Sequence, residues 1–88
     1  MRIWIKEWKS NHLMKDMVVE NYKEDTRTHK VFDALEEACY TFDLGRPIWL
    51  DSTIADFKRD AKTRFYGECF IEEIPFDYLE LEVLEEDY

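Results

Sequence analysis

The sequence predicts an α+β domain of order β-β-α-α-β, a small antiparallel sheet of about three strands with helices packed on one face. Three observations carry this. The first nine residues and the stretch Asp77–Glu86 alternate apolar and polar side chains, the period of a half-buried strand. Between them, "DTRTHKVFDALEEACYTFDLG" places Val31, Leu35, Ala38 and Phe42 at helical spacing. Runs of strands and runs of helices that segregate in this way pack as two layers around one core.

Taken in order, MRIWIKEWK turns Ile3, Ile5 and Glu7 one way and Trp4, Lys6 and Trp8 the other. Ser10, Asn11 and His12 supply turn chemistry, and "LMKDMVVENY" follows as a second strand, so the pair reads as a hairpin. Its register stays open, because Met17 and Val19 compete with Val18 and Tyr22 for the core face. The first helix can be capped by Asp25, Thr26 or Thr28 and closed by Gly45, with Pro47 just beyond.

"PIWLDSTIADFKRDAKTRF" opens extended and then gives a shorter amphipathic helix. Asp51 or Ser52 is its expected cap, and Ile54, Phe57 and Ala61 form its apolar stripe. On that reading Lys58 with Lys62, and Asp60 with Arg64, sit one turn apart on its outer side. "YGECFIEEIPF" reads as a helical turn or irregular segment. The last strand turns Leu79, Leu81 and Val83 toward the helices and Tyr78, Glu80, Glu82 and Leu84 away, and is expected beside the first strand.

Eighty-eight residues form a single small acidic domain, 1–88. Three Trp, five Tyr and six Phe are a large apolar content for that length, enough for a core without metal or disulfide. Every Lys and Arg lies at or before Arg64, so the whole net charge of −9 falls within residues 65–88. Such a balance argues against direct nucleic-acid binding and against anionic membranes, both of which need cationic surface. It allows a basic partner, and it also serves solubility. The charges at Arg2, Lys6, Glu7 and Lys9 interrupt any leader-like apolar run. The expected setting is therefore cytoplasmic, with Cys39 and Cys69 reduced.

The chemistry of sites is thin. Cys39 and Cys69 are far apart, His12 and His29 are isolated, and no spacing assembles zinc ligands. Ser10 and His12 share a turn without a third, orienting group. Two glycines rule out a phosphate-cradling loop. Glu80 and Glu82, about 7 Å apart on one strand face, could take a hard cation with Glu72, Glu73 or Asp77, but no EF-hand spacing is present. The basic run Lys58, Arg59, Lys62 and Arg64 is interleaved with acids and reads as a self-neutralised face, or as one docked on the chain's own C-terminal strand. No catalytic residue, cofactor or metal is expected.

The stretches "THKVFDALEEACYTFDL", "PIWLDSTIADFKRDAKTRF" and "IPFDYLELEVLEED" cover more than half of the chain. They resemble short uncharacterised proteins encoded by anaerobic Gram-positive bacteria. The resemblance implies a bacterial cytoplasmic setting and no nameable activity.

The remaining signal is a surface. Trp4, Trp8, Tyr78, Glu80, Glu82 and Leu84 should share the outer sheet face, where aromatic side chains mark interfaces more often than catalysis. The leading expectation is a non-enzymatic interaction or accessory module, with a protein partner or a second copy (a homodimer) across that face. The alternatives are an acidic nucleic-acid mimic that binds a basic protein and, behind it, a small enzyme or hard-cation binder.

Overall fold

A computed structural model describes residues 1–87; Tyr88, the last residue of the expected 1–88 domain, lies outside the described residues. The elements are β1 (Arg2–Lys9), β2 (His12–Glu20), α1 (Arg27–Thr41), α2 (Asp51–Asp60), β3 (Lys62–Tyr66), a 3₁₀ turn at Gly67–Cys69, and β4 (Tyr78–Glu85). The sheet has four strands in the order β2-β1-β4-β3, every neighbour antiparallel. The α+β class and the placement of β4 beside β1 match the sequence reading, whereas the strand count is four rather than three.

The β1–β2 hairpin turns on Ser10 and Asn11, both left-handed at φ 50° and 63°. Two consecutive positive φ values give the primed turn whose twist suits a hairpin. The turn fixes the register that alternation left open. Val19 pairs with Ile3 and Met17 with Ile5, so these two face the core, while Val18 and Tyr22 are exposed.

Thr26 caps α1, its hydroxyl accepting from the His29 amide. The predicted stripe Val31, Leu35, Ala38 and Phe42 is buried throughout. The helix ends earlier than Gly45 would place it. Asp43 takes the left-handed position at φ 58°, with its amide on the Tyr40 carbonyl and the Leu44 amide on that of Cys39. Asp tolerates this conformation better than most side chains, so the glycine is not required there.

The largest departure lies after α2. Leu50 is its cap and makes no side-chain bond, so Asp51 and Ser52 begin the helix rather than cap it. Thr53 and Phe57 form its buried face, and Ile54 is only partly covered. Ala61 turns left-handed at φ 53°, and β3 starts at the next residue. The expected helical pairs Lys58–Lys62 and Asp60–Arg64 therefore do not exist. Arg59 bonds Asp56 and Asp60 instead, and Arg64 belongs to the sheet. β3 outcompetes further helix because it buries Thr63 and Phe65 on alternate positions against Leu81 and Leu79. Ala at a left-handed position is strained, so Ala61→Gly should stabilise the fold by about 1 kcal/mol in chemical denaturation.

The core lies between the helices and the inner sheet face. Ile3, Ile5, Phe65, Leu79 and Leu81 are fully buried with Val31, Ala34, Leu35, Ala38 and Phe57. Trp49, on the segment that enters α2, holds the second helix to β3. Its ring meets Phe65 at 4.9 Å and Phe57 at 5.7 Å, both edge-on. Cys39 and Cys69 are free and buried in this core, and burial pushes the Cys39 thiol up to about 11. No helix among the described residues is long and apolar enough to cross a membrane.

Candidate functional site

Strand pairing sorts the outer sheet face into three rows that cross all four strands. One runs Val18, Trp4, Glu82, Lys62; the next Asp16, Lys6, Glu80, Arg64; the third Leu13, Trp8, Tyr78, Tyr66. Each row follows from period-two alternation plus register. A register shift between Glu7 and Trp8 leaves Met14 as the extra residue on β2, and one between Arg2 and Ile3 does the same for Leu84 on β4.

Five of the six residues expected on this face lie in the rows. Trp4, Trp8, Tyr78 and Glu82 are half-buried, and Leu84 is exposed at the irregular end of β4. Glu80 departs from expectation. The sequence reading made the outer layer a solvated, ionised one, yet Glu80 and Lys6 are each only 4% exposed. The reason is a charge ladder flanked by rings. Lys6 Nζ lies 2.9 Å from both Glu80 and Glu82, and Arg64 Nε donates to Glu80 at 2.9 Å. The Lys6 ammonium sits 3.9 Å from the Trp4 ring centre, and the Arg64 guanidinium 4.6 Å from that of Tyr78. Tyr66 packs beside Tyr78 at 5.2 Å.

The electrostatics follow. Burial pushes the Glu80 carboxyl up, but hydrogen bonds and charge from Lys6 and Arg64 outweigh it and hold the group below the usual carboxylate range. Burial likewise pulls Lys6 down, and its two carboxylates more than reverse this. Trp4 Nε1 donates to Asp16 at 2.9 Å, tying β1 to the exposed strand β2. The indole N–H of Trp8 is buried without an acceptor among the described residues. Such a group costs about 1–3 kcal/mol.

The sequence reading missed Asp16, Arg64 and Tyr66 as members of this face. The signal was present in KTRFY, where Thr63 and Phe65 alternate with Lys62, Arg64 and Tyr66, but it was absorbed into a helix that stops at Asp60. The idea of basic residues docked on the C-terminal strand holds for Arg64, from a strand rather than a helix. Elsewhere the terminal acids also meet cations of the first half. Glu86 binds Arg27 at two points, and Asp87 takes Lys30 and the Met1 amine.

The other candidates disperse. His12 and His29 are exposed, and His29 pairs with Asp25. Asp77 accepts from the Ser10 amide, and Glu80 is occupied by Lys6 and Arg64, so the two are not free for a shared cation. Among the described residues no three His, Cys, Asp or Glu side chains converge as metal ligands. The molecule is thus a two-layer α+β domain with helices on one sheet face and an aromatic, charge-laddered surface on the other. No known family, curated protein or solved structure matches the chain. The resemblance to short bacterial proteins therefore rests on the quoted stretches alone.

Proposed function

We propose that this protein is a non-enzymatic interaction module that works as a homodimer through the outer face of its sheet, in a reducing cytoplasmic setting that suits two buried free thiols. The observation that carries it is the sign pattern of the central row: Asp16 negative, Lys6 positive, Glu80 negative, Arg64 positive. Rotation by a half-turn about an axis parallel to the strands lays β2 over the second copy's β3 and β1 over its β4. Within this row the exposed Asp16 then faces Arg64, and the buried Lys6 lies beneath the position of Glu80, so opposite signs oppose. The same rotation sets Trp8 over Tyr78 and Leu13 over Tyr66. A half-turn about the other in-plane axis would lay each strand on itself and oppose like charges. A two-fold interface must complement itself, so the sign pattern selects the first arrangement. Aligned sheets pack about 10 Å apart, within reach of these side chains. The orphaned Trp8 N–H supports the reading, since fold stability gives no reason to keep it.

The edge charges test this, because Asp16 and Arg64 are exposed and a facing copy reaches them. In sedimentation equilibrium the natural chain is expected to dimerise. Asp16→Arg and Arg64→Asp should each be monomeric, since either opposes like charges, while an equimolar mixture of the two should restore the dimer. Thermal melts check that both variants fold. A natural chain that stays monomeric at millimolar concentration, or a mixture that does not reassociate, removes the proposal.

The acidic-mimic alternative draws less support. Glu80, Glu82, Glu86 and Asp87 each hold a cation of this same chain, so they are not an unneutralised row awaiting a basic protein.

A further inference from the structure

Glu7 is the odd member of the inner sheet face. Alternation turns it toward the core with Ile3 and Ile5, and it is only 6% exposed. Unlike Lys6 beside it, it has no partner within bonding distance among the described residues. Its environment consists of burial, which raises its carboxyl above the usual range, and the more distant charge of Lys15 opposite on β2. A carboxylate turned toward the core without a paired cation is an unusual group, and its oxygens stay open to the space beside it.

The side chain lines a cavity of about 440 Å³ between the end of α1 and the segment that precedes β4. That is within the size range of small-ligand sites. Three rings form its apolar walls: Phe42, Phe70 and Phe76, the last two edge-on at 6.2 Å. Its charged groups are Glu7, Asp43, Glu72 and Glu73 against Lys15 and Arg46, a net negative set. The sign disfavours an anionic ligand. Among the described residues no set of ligands converges here on a metal ion. An organic ammonium fits, because it can pair with the buried carboxylate while its apolar body and charge lie against ring faces.

We propose that this cavity binds a small organic amine, an ammonium group on an apolar or aromatic body, with Glu7 as the pairing carboxylate and Phe70 and Phe76 as the wall. The site lies on the helix side of the sheet, away from the dimer face, so the two proposals stand or fall separately.

The test is calorimetric titration of the full chain with three probes of one shape: phenethylammonium, 2-phenylethanol and phenylacetate. The amine should bind at least tenfold more tightly than the alcohol, and phenylacetate should not bind. Glu7→Gln, which removes only the charge, should bring amine and alcohol to equal affinity. On the natural chain, amide shifts from phenethylammonium should centre on Glu7, Phe70 and Phe76, a readout that does not depend on the variant folding. Equal affinity for amine and alcohol, unchanged amine affinity in Glu7→Gln, or shifts centred on the outer face near Glu80 would each overturn the assignment.

Discussion

Lys6→Met is expected to destabilise the protein by about 3 kcal/mol, the usual scale for breaking a buried ion pair by removing one partner. For a domain of this size that lowers the melting temperature by about 12–24 °C. The cause is what the substitution leaves behind. Glu80 stays buried with Arg64 alone, and that guanidinium is half exposed and so a weaker partner. Glu82 loses the ammonium it binds at 2.9 Å. Replacing both members of the central pair, Lys6→Met with Glu80→Leu, should recover most of the loss, because matched apolar side chains remove the uncompensated charge.

The acid limb of the stability curve should report the same ladder. Glu80 has a folded value held below its unfolded one. Its contribution is therefore complete above the ordinary carboxylate range and disappears as pH falls through the folded value. Asp87, held down by Lys30 and then by the Met1 amine, behaves alike. Glu7 works in the opposite sense. Its folded value is raised, so its penalty applies at neutral pH and fades as pH falls through that value toward the unfolded one. Lys6→Met should flatten the acid limb by removing the main cause of the Glu80 shift. Melts between pH 3 and 7 on both proteins decide it, and an unchanged slope would show that the ladder does not govern acid stability.

Phe65→Ala should cost about 4 kcal/mol, the range for deleting a buried aromatic ring from a packed core. Phe65 is 0% exposed, pairs across from Leu79, and meets Trp49 nearly at right angles with ring centres 4.9 Å apart. The cavity would open beneath Trp49, which connects α2 to the sheet, so tryptophan emission should shift to the red as stability falls. Denaturant midpoints measure the loss. A cost below about 1.5 kcal/mol, the scale of a tolerated core change, would mean that Phe65 is not the anchor of β3.

Much of this fold was legible in the residues. The alternation of β1 and β4, the turn at Ser10 and Asn11 and the stripe of α1 all follow from periodicity and turn chemistry, whereas the contact of the last strand with the first matches an expectation that no local pattern dictates. So does the membership of Trp4, Trp8, Tyr78 and Glu82 in the outer face. β3 was not read, although KTRFY alternates, because five residues that follow a helix without a break look like its last turn. Only the left-handed Ala61 separates the two, and Ala announces no such turn. The left-handed Asp43 escaped notice for the same reason, with Gly45 the stronger local signal.

The sequence by itself determined which side chains leave each strand on which face, because a period of two allows no other division once a strand exists. It also determined that the acid excess lies at the carboxyl end. What only the tertiary structure decided is how those charges are used. Glu80 was read as solvated, and it is buried because β3 brings Arg64 to one side of it while β1 brings Lys6 to the other. Glu7 shares a strand with Lys6 and, among the described residues, has no ion-pair partner at the wall of a cavity. Burial and pairing depend on which strands become neighbours, and that is settled by register and packing among segments distant in the chain.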